Sequence, residues 1–209
     1  MTQVDCTTYS SQARPRTFFQ KVVLHLSDNL DYFWSVFVRI VGPLFLIRVG
    51  KSTIIRRGAK LSTKLGGSIN LGDFCEIHPT AMILSYGGQI WIGDNCSLNP
   101  GSIIYGHGGV TIGSGVRIAA HSVIIPANHE IRGSADSIYR KPLTKKGITI
   151  ESNVWIGTHC VILDGVRVAE GCVIAAGAVV ATSTEPNGIY AGIPARRIKS
   201  RDASLDKTN

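Results

Sequence analysis

Several features that would place the chain in a common protein class are missing from its sequence. No run of five or more Lys or Arg residues is present, which argues against a nucleic-acid-binding tail. The segment Met1–Ser10 lacks the apolar core of a signal peptide. The most apolar stretch, Tyr32–Val49, contains Arg39 near its middle. Gly42 and Pro43 interrupt it, so it is too short and too polar to predict a membrane-spanning helix. We therefore expect a cytoplasmic protein with reduced thiols.

Charged residues and cysteines are also scarce. Charged residues make up 17% and hydrophobic residues 44% of the 209-residue chain, values typical of a single globular domain with a core. The net charge of +8 fits a polyanionic cofactor or an anionic membrane surface. The five cysteines show no Cys-x-x-Cys or Cys/His spacing typical of zinc sites, so no metal is expected.

An aliphatic residue recurs at every sixth position over most of the chain. The recurring residues fall into groups of three, namely Leu71, Ile77, Ile83; Ile92, Leu98, Ile104; Ile112, Ile118, Ile124; Ile150, Ile156, Ile162; and Val168, Ile174, Val180. The steps between successive groups are nine, eight, twenty-six and six residues, so extra residues enter only after every third hexad. A weaker group precedes them at Val49, Ile55 and Leu61. This pattern predicts an all-β solenoid of about six triangular coils whose insertions leave from one corner.

The other positions of each hexad support the same fold. The fifth position holds a small residue that should point inward, and it includes four cysteines, Cys75, Cys96, Cys160 and Cys172. The fourth position is rich in Gly and Asn, which tolerate positive φ and so predict the corners. His121 and His159 occupy this corner position as well.

The N-terminal segment 1–48 precedes the repeat. Apolar residues at helical spacing predict two helices, one around Phe19–Leu26 and one over Leu30–Val41, with Ser27 or Asp28 capping the second. These helices are expected to pack over the open base of the solenoid or against a neighbouring subunit. Because the second helix is apolar nearly all round, a peripheral contact with the inner face of a membrane is the alternative.

A long insertion interrupts the solenoid of residues 49–185. It spans residues 127–147, is predicted to be structureless, and carries five cations, Arg132, Arg140, Lys141, Lys145 and Lys146. His129 falls in the outward position where the regular strand ends, so it should face a groove rather than the core. An imidazole can accept a proton from a hydroxyl near neutral pH, which makes His129 the candidate general base.

The segment Ile148–Val180, with its Asn-Val-Trp-Ile-Gly motif, and Tyr190–Arg196 (YAGIPAR) resemble the C-terminal half of the hexapeptide-repeat acyltransferases, in particular the maltose, galactoside and polysaccharide O-acetyltransferases. The hexad pattern extends the resemblance back to about Val49. The resemblance implies a left-handed parallel β-helix, a homotrimer with active sites between subunits, acetyl-CoA as acyl donor and a saccharide acceptor. It also implies that the C-terminal tail, residues 186–209, contributes to the CoA site.

The resemblance further assigns individual residues. His129 matches the family's loop histidine, the base, and Trp155 matches the tryptophan at the acetyl end of the site. The remaining implied contacts are Gly157, Thr158 and Ala176 with the pantetheine arm, Arg196 and Lys199 with the nucleotide phosphates, and Asn99 and His107 with the acceptor. His107 departs from the acidic residue that related sugar acetyltransferases often carry there, which leaves the identity of the acceptor open.

Four functions remain open on the sequence. O-acetylation of a saccharide or surface-polysaccharide precursor is favoured, and N-acetylation of a nucleotide amino sugar is second. A zinc hydratase of the γ-carbonic anhydrase type shares this fold and needs three converging histidines, for which His107, His121 and His129 are available. A non-catalytic scaffold is the fourth, although it gives no reason for a cationic loop with an outward histidine.

Overall fold

The structure, a computed structural model, describes residues 18–131 and 138–201. The chain winds into a triangular prism in which each turn adds one strand to each of three parallel sheets. We call the three sides A, B and C in the order in which the chain visits them, and the corners AB, BC and CA. Six full coils are present, as the repeat predicts, and residues after them add a partial seventh. The left-handed winding implied by the resemblance stays a prediction.

Each side collects equivalent strands from successive coils. Side A contains β1 Ile47–Val49, β4 Ser68–Leu71, β7 Gln89–Ile92, β10 Val110–Ile112, β15 Ile148–Ile150 and β18 Arg167–Val168. Side B contains β2 Ile54–Ile55, β5 Glu76–Ile77, β8 Ser97–Leu98, β11 Arg117–Ile118, β16 Trp155–Ile156, β19 Val173–Ile174, β21 Gly188–Ala191 and β22 Arg196–Ser200. Side C contains β3 Lys60–Ser62, β6 Met82–Leu84, β9 Ile103–Tyr105, β12 Val123–Ile125, β17 Val161–Leu163 and β20 Val179–Val180.

The core is a stack of equivalent aliphatic side chains along the prism axis. On side B, Leu98 pairs with Ile77 below it and Ile118 above it, and all three are fully buried. Successive rungs stack about 4.8 Å apart, so each inward side chain packs on its counterpart in the next coil. Burying a side chain of this size contributes roughly 1.5–3 kcal/mol. The predicted inward positions of the four repeat cysteines are confirmed, because all four are buried and unpaired.

The corners are built from residues with positive φ. Asn95 and Asn153 have φ of 55° and 58°, and His121 and His159 have φ of 60° and 56°. Asn and His are among the side chains that adopt this region most readily. The prediction that the fourth position of the hexad forms the corner is confirmed.

Every insertion leaves from corner CA, between sides C and A, as the uneven steps predict. The prediction that residues 127–147 are structureless was wrong. Two short strands, β13 Asn128–His129 and β14 Leu143–Thr144, pair antiparallel, and a 3₁₀ turn, Ile138–Arg140, precedes the return strand. The insertion is therefore a β-hairpin anchored on the solenoid. Arg132 lies outside the described residues.

The two predicted N-terminal helices form one continuous helix, α1, Phe18–Val41, followed by a 3₁₀ turn, Gly42–Phe45. Asp28 does not cap a second helix, because it pairs with Arg56 of the first coil from inside α1. The helix lies over the open base of the solenoid, where Ser35 Oγ accepts a hydrogen bond from Ile55 N–H of edge strand β2 at 2.8 Å. Among the described residues, no helix meets the length and hydropathy needed to cross a bilayer.

The segment after the sixth coil is described as far as Arg201. Strand β21 adds a seventh rung to side B, and β22 returns antiparallel to it. Tyr190 from β21 closes this end of the core, and its hydroxyl accepts a hydrogen bond from Glu185 N–H at 2.7 Å. Residues 202–209 lie outside the described residues.

Candidate active site

The predicted base lies on the outer part of the prism at corner CA. His129 is exposed on β13, directly opposite Leu143 of β14. The hairpin emerges between the fourth coil, which ends in β12, and the fifth, which begins with β15. The outward orientation predicted for His129 is therefore confirmed, and a ligand can approach its imidazole from outside the prism.

A single carboxylate from the next coil anchors the hairpin. Asp164 Oδ1 accepts hydrogen bonds from Lys146 N–H at 2.9 Å and from Gly147 N–H at 3.0 Å. The Thr144 hydroxyl lies 3.5 Å from the other carboxylate oxygen and 3.3 Å from the carbonyl oxygen of Asn128. Asp164 thus holds the return strand that pairs with the strand of His129, and it is a positioning residue. The sequence signal for it was weak, since Asp before Gly165 reads as an ordinary turn.

His107 lies at the same corner, one coil below the hairpin. A Cβ atom on the adjacent Gly108 would collide with the carbonyl oxygen of Pro126, so the two turns are in direct contact. The His107 ring stacks on Tyr86 with centroids 4.7 Å apart, and Tyr105 lies 6.0 Å away. Among the described residues, no hydrogen-bond partner reaches its buried Nδ1. Burial and the nearby charge of Lys145 lower the pKa of His107, which favours its neutral imidazole.

The tyrosines of this cluster were missed by the sequence reading. Tyr86 and Tyr105 stack on each other with centroids 5.8 Å apart. Both belong to corner insertions or strand ends outside the hexad core, where the repeat pattern carries no information. Their stacking makes the corner below His129 aromatic and rigid.

The predicted donor-binding residues lie elsewhere, on side B and at corner BC. Trp155 is exposed on β16, between Arg117 of the coil below and Val173 of the coil above. Thr158 and Ala176 are exposed at corner BC of the fifth and sixth coils. The Thr158 carbonyl oxygen accepts a hydrogen bond from Gly177 N–H at 2.8 Å, so the two turns are stacked directly. Thr158 and Ala176 therefore form a line parallel to the prism axis.

Gly157 permits this close stacking. It is buried, and a Cβ atom at this position would lie 2.7 Å from Ala176 N and 2.8 Å from the carbonyl oxygen of Ile174. Its own carbonyl oxygen accepts a hydrogen bond from the Ser122 hydroxyl at 2.7 Å. Any larger residue would push the fifth and sixth coils apart at the line of Thr158 and Ala176, which we call the donor line after its predicted role.

Two cations stand at the upper end of this line. Lys199 on β22 pairs with Ile189, which pairs with Val173 in the column above Trp155. Arg196 begins β22 next to corner BC, and both cationic side chains are exposed. Lys199 is three rungs from Trp155, about 14 Å at the spacing of β-strands. The arrangement offers positive charge at one end and an indole at the other.

Asn99 lies at corner BC of the third coil. Its side-chain amide donates a hydrogen bond to the carbonyl oxygen of Ile118 at 2.9 Å, and its own carbonyl accepts from Ser102. The residue therefore stabilises a turn, and its side chain is partly exposed below the donor line.

One chain does not bring these residues together. His107 and His129 are at corner CA, whereas Trp155 lies on side B, which is the side opposite that corner. Corner BC is separated from corner CA by the full width of side C, roughly 20 Å for a six-residue edge. The structure thus separates the predicted site residues into two groups, which we call the histidine half-site, at corner CA, and the donor half-site, along side B and corner BC.

The three histidines considered for a zinc hydratase are also separated within one chain. His121 lies at corner BC, where its ring stacks on that of His159, while His107 and His129 lie at corner CA. The described residues contain no group of three metal-ligating side chains. The geometry of one chain therefore gives the three histidines no common centre.

Two family models match the repeat. Residues 147–182 match the model described as bacterial transferase hexapeptide (six repeats), and residues 89–125 match hexapeptide repeat of succinyl-transferase. The chain thus carries the hexapeptide repeats that these models describe, and it resembles the hexapeptide-repeat acyltransferases. Together the two matches cover the third to sixth coils of this hexapeptide-repeat protein, whereas His129, Arg196 and Lys199 lie outside both matched segments.

Relatives of this hexapeptide-repeat protein include acetyltransferases with different acceptors. It is 40% identical over 94 residues to galactoside O-acetyltransferase of Escherichia coli, a match covering 43% of each chain. It is 44% identical over 68 residues to 2,3,4,5-tetrahydropyridine-2,6-dicarboxylate N-acetyltransferase of Enterococcus faecalis, covering 32% of this chain and 28% of that one. The matched segment spans less than half the length of either relative.

Solved structures share the fold over a longer stretch. A variant of AntD, an N-acyltransferase from Bacillus cereus, in complex with dTDP-4-amino-4,6-dideoxyglucose and coenzyme A, superposes with a TM-score of 0.66 at 23% identity. That match covers 80% of this chain and 90% of AntD. A hexapeptide-repeat-containing acetyltransferase of Vibrio cholerae complexed with acetyl coenzyme A has a TM-score of 0.53 at 25% identity, covering 86% and 83% of the two chains. AntD shares the fold, and the Vibrio protein shares the family's repeat as well.

Proposed function

We propose that the protein transfers an acetyl group from acetyl-CoA to a hydroxyl group of a saccharide, with His129 as general base. The observation that carries the proposal is the matched height of the two half-sites on the prism. His129 emerges between the fourth and fifth coils, and Trp155 and Thr158 belong to the fifth. A second copy placed alongside with its axis parallel would bring its donor half-site next to His129.

The donor half-site has the length and charge that an acyl-CoA needs. Thr158 and Ala176 form a groove edge along corner BC without charged side chains, which suits a pantetheine arm. Arg196 and Lys199 offer positive charge to the phosphates at its upper end. At the lower end the exposed indole of Trp155 can cover the acetyl group. The acetyl-CoA complex of the Vibrio cholerae relative supports this choice of donor.

The proposed chemistry requires one proton transfer. His129 accepts the proton of the acceptor hydroxyl as that oxygen forms a bond with the thioester carbonyl carbon. The carbon–sulfur bond then breaks, and the proton passes from His129 to the departing sulfur, giving the acetyl ester and free CoA. Because a thioester is already activated, orientation of the two substrates and removal of this proton supply most of the rate.

The active unit in this proposal is a homotrimer with its threefold axis parallel to the prisms. Each active site combines the histidine half-site of one subunit with the donor half-site of its neighbour. The separation of His129 from side B within one chain supports this assembly, since a monomer would leave both half-sites incomplete. Light scattering should therefore give three times the 22.5 kDa chain mass, and a monomer at micromolar concentration would contradict the proposal.

Mixed trimers provide the decisive experiment. His129→Ala removes the base, and Ala176→Trp blocks the donor line at an exposed position. Each variant alone should be inactive. Co-expressed with different tags in equal amounts, they should give a trimer population with about a quarter of the wild-type activity, because one interface in four then carries both intact half-sites by random assembly.

The control mixes the two purified trimers without subunit exchange, which should give no activity. Double-tag purification establishes that mixed trimers have formed. If these trimers are still inactive, the base and the donor line belong to the same subunit, and the shared-site proposal fails. Recovery requires both an active His129 and a neighbour's donor line, so simple folding defects cannot produce it.

The proposed acceptor is a saccharide hydroxyl, such as that of a surface-polysaccharide precursor. The galactoside O-acetyltransferase relative supports this choice. N-acetylation of a nucleotide amino sugar is the second candidate, supported by the N-acetyltransferase relative and by the AntD fold. Matched acceptor pairs that differ only in a hydroxyl or an amino group, assayed by thiol release from acetyl-CoA, separate the two. Turnover of the amine alone would reject O-acetylation.

A further inference from the structure

Helix α1 packs on the solenoid with its polar side and directs its apolar side outward. Asp31 and Ser35 are buried against the first coil. Arg39 Nε donates a hydrogen bond to the carbonyl oxygen of Gly50 at 3.1 Å. A surface helix of a globular protein normally buries the opposite, apolar face. Val38 also packs against the core, but most of the large apolar side chains of the helix stay exposed in the described part of the chain.

The outward face is large and continues through the turn after the helix. Phe33 and Ile40 are 68% and 72% exposed, and Leu44 is 82% exposed. The same surface includes Leu26, Leu30, Tyr32, Trp34, Phe37, Phe45 and Leu46. Half-exposed side chains of this size each leave on the order of 100 Å² in water, so the patch exceeds the few hundred Å² usual for a monomer. We call these ten residues the apolar arc.

Most of the excess positive charge lies at the same end of the protein. Residues 26–65 contain seven Lys or Arg and two Asp, a net +5 of the +8 of the whole chain. Both Asp residues pair with Arg56 or Arg57. Four exposed cations form no ion pair with any residue that the structure describes, namely Arg48, Lys51, Lys60 and Lys64. The apolar arc is thus bordered by unpaired positive charge.

A cleft joins the two features. It encloses about 590 Å³ between α1 and edge strand β3. Trp34, Phe37 and Leu61 line its apolar wall, and the exposed Lys60 and Lys64 border it. An apolar cleft beside two ammonium groups is complementary to an acyl chain that carries an anionic headgroup.

We propose that this end of the protein binds the surface of a bilayer containing acidic phospholipids. The apolar arc would lie at the boundary between headgroups and acyl chains, as in interfacial amphipathic helices, with the four cations against the phosphates. The apolar arc of helix α1 contacts the lipid, and the polar side of the helix contacts the base of the solenoid instead of water. The prism axis then stands away from the membrane, with the fifth coil four rungs, about 20 Å, above the first.

Other occupants of the apolar arc fit less well. A twofold contact between the apolar arcs of two copies would bring two surfaces of net charge +5 together, which costs repulsion that lipid phosphates instead neutralise. Residues 1–17 include only three large apolar side chains, Met1, Val4 and Tyr9, too few to cover ten exposed residues. Charge complementarity therefore favours the acidic membrane surface.

Flotation of the full-length protein with vesicles tests the proposal. Vesicles of phosphatidylcholine with about one-third phosphatidylglycerol should bind it at least about tenfold more tightly than pure phosphatidylcholine. Phe33→Ser/Ile40→Ser should abolish binding, and Lys60→Gln/Lys64→Gln should weaken it about tenfold or more. The charge-matched control Lys145→Gln/Lys146→Gln, at corner CA, should bind within about threefold of wild type.

Three results would overturn the proposal. They are equal binding to neutral and acidic vesicles, equal weakening by the Lys145/Lys146 control, and wild-type binding by the Phe33/Ile40 variant. If the Phe33/Ile40 variant still floats with vesicles but has a different mass by light scattering, the apolar arc contacts a second copy. Unchanged circular dichroism establishes that each variant is folded. Flotation needs neither acetyl-CoA nor acceptor, so this inference and the proposed activity fail or stand separately.

Discussion

The imidazole ring of His121 stacks on that of His159, with centroids 5.0 Å apart and planes 12° from parallel. Both residues have positive φ at corner BC, in the fourth and fifth coils. Beside them the Thr158 hydroxyl donates a hydrogen bond to the carbonyl oxygen of Ala120 at 2.7 Å. The two stacked rings therefore lie one above the other along corner BC. They contact neither His129 nor His107 of the same chain, which lie at corner CA.

His129→Ala should leave the fold, the trimer and acetyl-CoA binding intact, because the side chain is exposed on a surface hairpin. Its kcat should fall about 10²–10⁴-fold, the usual contribution of general acid–base catalysis. Steady-state kinetics give kcat, and calorimetry with acetyl-CoA gives the donor affinity. Near-normal turnover would remove His129 from the mechanism.

The corner histidines are the controls for that experiment. His121→Ala and His159→Ala should each lower the free energy of unfolding by about 1 kcal/mol. This is about the free energy that an alanine loses when it adopts positive φ. Their kcat should stay within a few-fold of wild type. An essential corner histidine would move the base to corner BC.

Asp164→Ala should lower kcat by roughly tenfold, because two backbone N–H groups of the hairpin lose their shared acceptor and His129 loses its fixed position. Asp164→Asn keeps an acceptor oxygen and should retain most of the activity. The KM for acetyl-CoA should change little in either variant, because the donor line is on another side of the prism. A raised KM for acetyl-CoA with an unchanged kcat would instead place Asp164 in donor binding.

Arg196→Ala/Lys199→Ala should raise the KM for acetyl-CoA and flatten its dependence on salt, because two charges that we propose bind the donor phosphates are removed. The matched control is Lys60→Ala/Lys64→Ala, which makes the same change in net charge at the opposite end of the prism. Initial rates at several salt concentrations measure both effects. Equal changes in the KM for acetyl-CoA in the two variants would show a general effect of net charge.

Native Cys96 and Cys160 should react slowly with aqueous thiol reagents. Burial raises the pKa of the Cys160 thiol. Because the unfolded chain ionises this thiol first, Cys160 should lower stability as pH rises through the ordinary thiol value. Labelling followed by mass spectrometry in a Cys6→Ser background measures the rates. Rapid labelling of native Cys160 would contradict its inward position.

The His107 imidazole should remain neutral below the pH at which ordinary histidines gain a proton. Burial is the main cause of its lowered pKa, and the charge of Lys145 is the second. The unfolded chain binds this proton first, so His107 lowers stability as pH falls through the ordinary value of about 6.5. NMR titration of Lys145→Gln should show the His107 pKa rising only part of the way toward that value. A full return would make the lysine charge, rather than burial, the cause.

The repeat made much of the fold predictable. Every sixth residue meets its counterpart in the next coil, so a one-dimensional period specifies which side chains are buried, as Ile118 and Cys160 are. It also specifies the corners, since Asn153 and His159 have the predicted positive φ. The outward orientation of His129 followed from the same count of positions.

Segments outside the period were predicted less well. The break expected at Ser27 and Asp28 is absent, because Asp28 pairs with Arg56 of the first coil and the helix continues through it. The insertion after β12 is a hairpin because Asp164, in the next coil, binds its return strand. Both outcomes depend on partners distant in sequence, which local propensity does not contain.

The sequence by itself determined the three-sided coil, its number of turns and the inward or outward direction of each hexad position, because all of these repeat with a fixed period. Only the tertiary structure decided that His129 and Trp155 lie on different parts of one prism, since a corner and the side opposite it are separated by the closed triangular coil. It also decided that α1 turns its apolar arc outward. That orientation comes from Asp31, Ser35 and Arg39, whose hydrogen bonds to the first coil fix the polar side of the helix against the solenoid.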